Sequence, residues 1–264
     1  METNKVHNEN CLDTMSRMEN NFIDLTVTSP PYDNLRTYNG YCFDFENVAK
    51  ELYRVTKQGG VVVWVVGDAT INGSESGTSF RQALYFKEIG FNLHDTMIWH
   101  KNNPTPQIKT KRYTQCWEYM FIFSKGIVNT CNYIFEDCLH AGKKTYRTGD
   151  SEFRKQSSDA KKGLITQTNN TKILKNLWTT NVGTPVANKF TKKHPAIFPE
   201  QLANDHIISW SNEGDLVYDP FMGSGTTAKM SILNNRNWIG SEISLEYCDI
   251  IKERLKSLEN NLFT

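Results

Sequence analysis

The chain has 264 residues, with 30 Lys and Arg against 29 Asp and Glu, 38% hydrophobic residues and six cysteines. That length suits one α/β domain of ordinary size with a modest added region and excludes two full enzyme domains. The formal net charge of +1, taken as a sum, argues against a polyanionic partner.

The sum hides a segregation. Residues 1–139 hold 13 basic and 16 acidic side chains, residues 140–193 hold 12 and 3, and residues 194–264 hold 5 and 10. The middle 54 residues therefore carry +9, and the flanks together carry −8. Such a block is either a solvated lysine-rich insert or a surface for a polyanion. The start, METNKVHNENCLD, has no apolar h-region, and the longest apolar run, Val61 to Val66, is far below the ~20 residues of a membrane span. A soluble, cytoplasmic protein without a membrane partner is expected. Cys11, Cys42, Cys116, Cys131, Cys138 and Cys248 form no C-x-x-C pair, so scattered reduced thiols are expected and no metal site.

In chain order, Phe22 to Thr28 (FIDLTVT) is a β-branched run stopped by Pro30-Pro31, which predicts a buried strand opening into a loop. Glu46 to Lys57 spaces Val48, Leu52 and Val55 as a helix, with Gly59-Gly60 as its stop. Val61 to Val66 (VVVWVV) is too uniformly apolar to be half exposed and predicts a central strand. A polar loop from Asp68 to Thr78, a helix near Phe80 to Ile89 and a strand near Phe91 to His100 follow. Trp117 to Phe123 is a further strand. The rhythm breaks in the basic segment and resumes with a helix near Pro199 to Trp210 and a strand at Asp215 to Tyr218. A helix near Thr226 to Leu233, a strand at Asn237 to Gly240 and a final helix near Leu245 to Leu258 complete it. Alternating strands and helices predict a Rossmann-like, mostly parallel sheet covered on both faces and interrupted by an insert.

Two turns carry the chemistry. After the strand LVYD comes Asp219-Pro220-Phe221-Met222-Gly223-Ser224-Gly225-Thr226-Thr227, leading straight into a helix. Glycines there let a ligand approach the backbone, and the helix N-terminus favours anionic groups. The spacing is not G-x-G-x-x-G, and no Lys follows as in a P-loop; by itself the turn reads equally as a tight connection. One strand later, Glu242 stands where a carboxylate can accept from ribose hydroxyls, or can be a plain surface acid. The second turn is Thr28-Ser29-Pro30-Pro31-Tyr32, again at the C-terminal end of a strand. Two prolines stiffen it and leave the Ser29 hydroxyl and the Pro30 carbonyl as convergent acceptors beside an aromatic ring. That set suits a flat ring bearing an exocyclic NH2; the competing reading is a Pro-Pro turn with a packed Tyr.

Together, TSPPY, DPFMGSGTT and the acid after the next strand resemble the S-adenosylmethionine-dependent amino methyltransferases of DNA, which modify cytosine N4 or adenine N6. The motif order, with TSPPY first, then the insert, then the glycine turn, is similar to the circularly permuted β group. Ile98 to Lys101 (IWHK), Asn103-Pro104, Glu118 to Phe123, Lys193-His194-Pro195 and Phe198-Pro199-Glu200 also match. The likeness spans nearly everything except residues 130–190.

The resemblance implies S-adenosyl-L-methionine as cofactor, with Asp219, Phe221, Gly223, Ser224, Gly225, Thr226 and Thr227 at its methionine end and Glu242 at its ribose. Asn10, which stands where an Asp contacting the adenine end is usual, and Cys11 would also lie at the cofactor. Ser29, Pro30, Pro31 and Tyr32 would form the pocket for a flipped base. Asn34, Arg36 and Tyr38 would meet the extruded nucleotide, or form a polar surface loop. The chain divides on this reading into a catalytic half (1–129), a basic target-recognition insert (130–193) and a cofactor-binding half (194–264). In the insert, Lys143, Lys144, Arg147, Arg154, Lys161 and Lys162, with Lys192 and Lys193, would meet phosphates of double-stranded DNA. Gln156, Gln167, Asn169, Asn170, Arg147 and Arg154 have donors suited to base edges.

Ser29 favours cytosine N4, since adenine-N6 enzymes more often carry Asp or Asn there; adenine N6 is the alternative. A catalytically silent DNA-binding module of the same fold, and a methyltransferase of protein glutamine with an Asn-Pro-Pro-Tyr turn, are the readings from other classes. A bacterial, archaeal or phage setting, a cognate restriction endonuclease and a homodimer are each compatible with the resemblance.

Overall fold

The computed structural model describes residues 1–31, 43–106, 111–139, 141–142, 144–146, 165–167, 169–182 and 198–262, with backbone alone at 144–146, 165–167 and 259–262. The elements in chain order are β1 (Lys5–His7), α1 (Cys11–Ser16), β2 (Ile23–Thr28), α2 (Phe45–Val55), β3 (Thr56–Val66), β4 (Thr70–Ile71), β5 (Ser74–Glu75), α3 (Thr78–Glu88), β6 (Asn92–Lys101), β7 (Trp117–Ser124), β8 (Phe135–Asp137), β9 (Lys144–Tyr146), β10 (Ile165–Gln167), β11 (Thr171–Ile173), β12 (Leu177–Thr180), α4 (Glu200–Trp210), β13 (Leu216–Asp219), α5 (Thr226–Leu233), β14 (Asn237–Ser241) and α6 (Leu245–Leu262). They group into two compact units, Met1–Asn132 with Asn176–Thr264, and Tyr133–Lys175.

The first unit is built on an eight-stranded sheet among the described residues, in the order β1-β14-β13-β2-β3-β7-β6-β12. All neighbours pair in parallel except at β7, which is antiparallel to both β3 and β6. Val61 to Val66 is buried throughout, as a strand covered on both faces must be. Val62, Trp64 and Val66 join one core with Met15, Leu52 and Phe86, from α1, α2 and α3. By the two-residue period, Val61, Val63 and Val65 face the other side, where α4 lies against β2, β3 and β12.

From β2 the chain crosses through α2 to β3, toward one edge of the sheet. From β13 it crosses through α5 to β14, toward the opposite edge. The adjacent strands β13 and β2 therefore flank the point where the winding reverses, the place beyond whose C-terminal strand ends open α/β sheets bind their ligands. The Asp219 and Ser29 turns lie at those two ends.

Two expectations are corrected. Gly59-Gly60 does not close the second helix: α2 ends at Val55, and both glycines lie inside β3, opposite a register shift between Ile23 and Leu25. Gly59 sits at φ +78°, and a Cβ on Gly60 would lie 2.9 Å from the Asp24 carbonyl, so the pair builds a bulge in the strand. Lys125 ends α2 instead, donating to the Tyr53 and Thr56 carbonyls at 2.7 and 3.0 Å and to Asn21 Oδ1 at 2.9 Å. The second correction concerns the insert, which does not run as one block to residue 193. Leu177–Thr180 returns to the main sheet as β12, parallel to β6, because Trp178 buries itself against the His206 ring at 4.5 Å.

In the second unit β8 pairs antiparallel with β11 and β9 with β10, and Lys172 meets Glu136 at 3.1 Å. An asparagine of the first unit stands at each border. Asn132 donates to the carbonyls of Ser209, Ile208 and Ser211, and the Asn176 carbonyl accepts from Ile98 N at 2.8 Å. No helix among the described residues is long and apolar enough to cross a membrane.

Candidate functional site

β13 ends in Asp219, and the next six residues turn into α5. Gly223 and Gly225 sit at φ +54° and +79°, left-handed values that L-residues rarely adopt. A Cβ on Gly225 would also lie 3.0 Å from Ile251 Cγ1. Gly225 caps α5, and no side chain caps that helix end, so its first amides can take an anionic ligand.

Asp219 is 4% exposed. Its Oδ1 accepts from Thr28 Oγ1 at 2.7 Å and Phe221 N at 3.0 Å, and its Oδ2 from Thr227 Oγ1 at 2.7 Å. Burial pushes the Asp219 carboxyl up to about 6, against the pull of those donors. Its side chain thus ties the glycine turn to the residue just before Ser29. Glu242 behaves alike: Oε2 accepts from Gly223 N at 2.8 Å and Oε1 from Ser244 N at 2.9 Å. Burial raises its carboxyl, and the two amides partly restore it.

β1 pairs His7 with Ser241, which brings the Asn8–Asn10 stretch beside Glu242; Asn8 Nδ2 donates to the Glu242 carbonyl at 2.9 Å. The Asn10 side chain caps α1, accepting from Leu12 N at 2.9 Å. Cys11 is buried, and its thiol is pushed up to about 12 by desolvation, which leaves it unreactive.

At the other turn Ser29 and Pro31 are half-buried and Pro30 is buried. Tyr32, Asn34, Arg36 and Tyr38 lie outside the described residues. Where the described chain resumes, Phe43 packs edge-on against Phe221 at 5.3 Å and stacks over Trp64 at 6.4 Å. Trp64 is itself fixed through Nε1 to Gln82 Oε1 at 2.9 Å. An aromatic wall therefore joins the end of β3 to the glycine turn. Farther along the rim Lys101 and Glu118, from two of the motif matches, form an ion pair.

Of the basic residues assigned to DNA, Lys143, Arg147, Arg154, Lys161, Lys162, Lys192 and Lys193 lie outside the described residues, as does Gln156. Lys144 is in β9 and Gln167 in β10; Asn169 and Asn170 are exposed. The structure therefore brings together both turns, Glu242 and Asn10. It adds Thr28, Phe43, Trp64, Glu200 and Arg254, which sequence reasoning did not assign. For Arg254 a signal existed: it follows Cys248 and Ile251 at three-residue steps on the buried face of α6.

Residues 23–253 match the N6_N4_Mtase family model, described as DNA methylase. The chain is 57% identical over 243 residues to the orphan methyltransferase M.BamHII of Bacillus amyloliquefaciens, covering 89% of each chain. It is 25% identical over 279 residues to the type II methyltransferase M.SmaI of Serratia marcescens, covering 90% of this chain and 86% of that one. Among solved structures, the cytosine-N4-specific PvuII DNA methyltransferase aligns with a TM-score of 0.71 at 20% identity, over 96% of this chain and 86% of that one. The M1.HpyAVI–SAM complex aligns with a TM-score of 0.57 at 22% identity, over 95% and 98%. The chain belongs to the N6/N4 family of DNA methylases.

Proposed function

We propose that the chain transfers a methyl group from S-adenosyl-L-methionine to the exocyclic amino group of a base flipped out of duplex DNA, with cytosine N4 as the target. One observation carries this reading: the Thr28–Asp219 hydrogen bond of 2.7 Å holds the Ser-Pro-Pro turn and the glycine turn side by side at the switch point of the sheet.

The donor fits the residues present. Two left-handed glycines and an uncapped helix start suit its methionine end, and Glu242, with its oxygens oriented by Gly223 and Ser244, suits its ribose. Asp219 and Thr227 spend their side chains on each other, so they shape the turn and leave the backbone to touch the ligand. When bound, the donor supplies an electrophilic methyl on a sulfonium and leaves as a neutral thioether.

An aromatic amine is a poor nucleophile, because its lone pair is delocalised into the ring. The Ser29 hydroxyl and the Pro30 carbonyl accept hydrogen bonds from its two N–H groups and draw the nitrogen toward tetrahedral geometry, in line with the methyl. One amine proton then passes to solvent, and no covalent intermediate forms. Tyr32 stacks on the flipped base and offsets part of the few kcal/mol of unstacking. The Lys and Arg residues of 140–193 hold phosphates, while a few polar side chains there read bases. Cytosine N4 rests on the identity of residue 29. The word orphan in the name of the 57% identical relative supports a solitary enzyme over one half of a restriction-modification pair.

Base-resolution modification mapping of DNA from cells expressing the chain tests target and site together. Methylation at adenine N6 would replace cytosine as the target, and an unmodified genome with intact donor binding would leave a silent DNA-binding module. Ser29→Ala should lower turnover about 100-fold or more while donor affinity holds; unchanged turnover would remove Ser29 from the mechanism.

A further inference from the structure

Arg254, on α6, is 2% exposed. A guanidinium keeps its charge when buried and so needs acceptors in fixed directions. Nη1 donates to the Ser224 carbonyl at 2.7 Å, to Ser224 Oγ at 3.3 Å and to Thr226 Oγ1 at 3.1 Å. Nη2 donates to Glu200 Oε1 at 2.6 Å. Glu200, the first residue of α4, also accepts from Lys229 of α5 at 2.8 Å on both oxygens. Three helices thus converge, through three charged side chains, on the two residues that bracket Gly225.

The peptide plane between Ser224 and Gly225 is consequently held at both ends. Its C=O is held by Arg254, and its N–H donates to the Met222 carbonyl at 2.9 Å. A turn with two left-handed glycines loses much conformational freedom when it is ordered. If ordering waits for the ligand, it subtracts from affinity; if the fold has already done it, affinity is retained.

We propose that Arg254, with Glu200 holding its Nη2, is a positioning residue for the methyl donor: it fixes the Ser224–Gly225 peptide in the binding shape beforehand, and so governs donor affinity and not the rate of transfer. The proposal rests on the glycine turn being the donor site.

The test uses the full chain. Arg254→Gln, Arg254→Lys and Glu200→Gln are compared for kcat, KM for S-adenosyl-L-methionine, KM for duplex DNA and Tm. Arg254→Gln should raise the donor KM about tenfold or more, with kcat at saturating donor within about threefold and the DNA KM unmoved. Glu200→Gln should shift the donor KM in the same direction by about threefold, and Arg254→Lys should fall between the two. Combining Arg254→Gln with Glu200→Gln should add little beyond Arg254→Gln alone, as for residues that act as one unit. If Arg254→Gln does not fold, Arg254→Lys and Glu200→Gln carry the same comparison. An unchanged donor KM in the folded variants, or an equal loss in kcat or DNA KM, overturns the proposal. Gly225→Val serves as the control for the site. Intact donor binding in that variant would overturn the donor-site reading itself; lost binding there, with normal binding in the Arg254 and Glu200 variants, would overturn only the anchoring.

Discussion

Two buried titratable side chains set opposite pH slopes on stability. His206, on α4, is 0% exposed, with Nε2 3.3 Å from Met120 Sδ and Nδ1 unpartnered. Burial pushes its pKa down to about 3, so the unfolded chain binds a proton that the folded chain refuses. Its contribution is complete above the ordinary value of 6.5 and is lost as pH falls from there toward 3. Asp219, pushed up to about 6 from 3.8, has the reverse sign. Its contribution is complete below 3.8 and is lost as pH rises through about 6. Between pH 4 and 6 the two slopes oppose each other. His206→Leu should therefore expose a stability that declines with rising pH by about 1.4 kcal/mol per unit, and Asp219→Asn one that climbs by a similar amount. Urea unfolding across pH 4–7 checks both; parallel profiles for the two variants would contradict the assignment. At this scale the placement of Ser29, Gly223, Gly225 and Glu242 in turns at strand ends is legible because turn chemistry is local in sequence. The bond from Thr28 to Asp219, 191 residues away, has no local signal. Arg254 was passed over because a charged residue on an amphipathic helix is ordinarily solvated.

At the scale of elements, the expected bounds of most long segments lie within two residues of the observed ones, while β3 begins five residues before the valine run and α6 extends four residues beyond Leu258. α5 matches its expected bounds of Thr226–Leu233, and the valine run sits inside β3. What escaped was short or depended on distant pairing. β1 has three residues, and its register comes entirely from β14. β12 has four residues within a lysine-rich stretch, and only pairing with β6 and the packing of Trp178 make it a strand. The Gly59-Gly60 pair was misread because a glycine after a helical pattern signals a stop, whereas here it lets β3 come close to Asp24. Lys125 then carries the ending of α2 from a distance. Because Lys125 is 7% exposed and its ammonium serves several carbonyls, Lys125→Met should cost about 1–3 kcal/mol. Denaturant unfolding measures it; a loss within a few tenths would mean that water replaces the ammonium.

For the whole molecule, the near-zero net charge is a cancellation between an acidic enzyme body and a basic stretch of +9 at residues 140–193. DNA affinity should accordingly fall steeply with salt, with a log–log slope set by the number of phosphates neutralised. Replacing Lys161, Lys162, Lys192 and Lys193 by Gln should weaken binding on all DNA sequences alike and flatten that slope by about 0.9 per lost contact. A slope unchanged by the fourfold replacement would return the stretch to a solvated face.

Asn132 and Asn176 have one more consequence. Each is bonded within the main unit, so both ends of the 133–175 segment are anchored whatever lies between them. Loop-closure entropy grows slowly with length, by about 0.6 kcal/mol per doubling, and the body can therefore tolerate segments of very different size between these posts. Those two asparagines are the residues of the first unit that border the second. Exchanging 133–175 for the corresponding stretch of another family member should leave the donor KM and the fold of the body unchanged and move the methylated sequence. If donor binding collapses in such chimaeras, the two units are not separable.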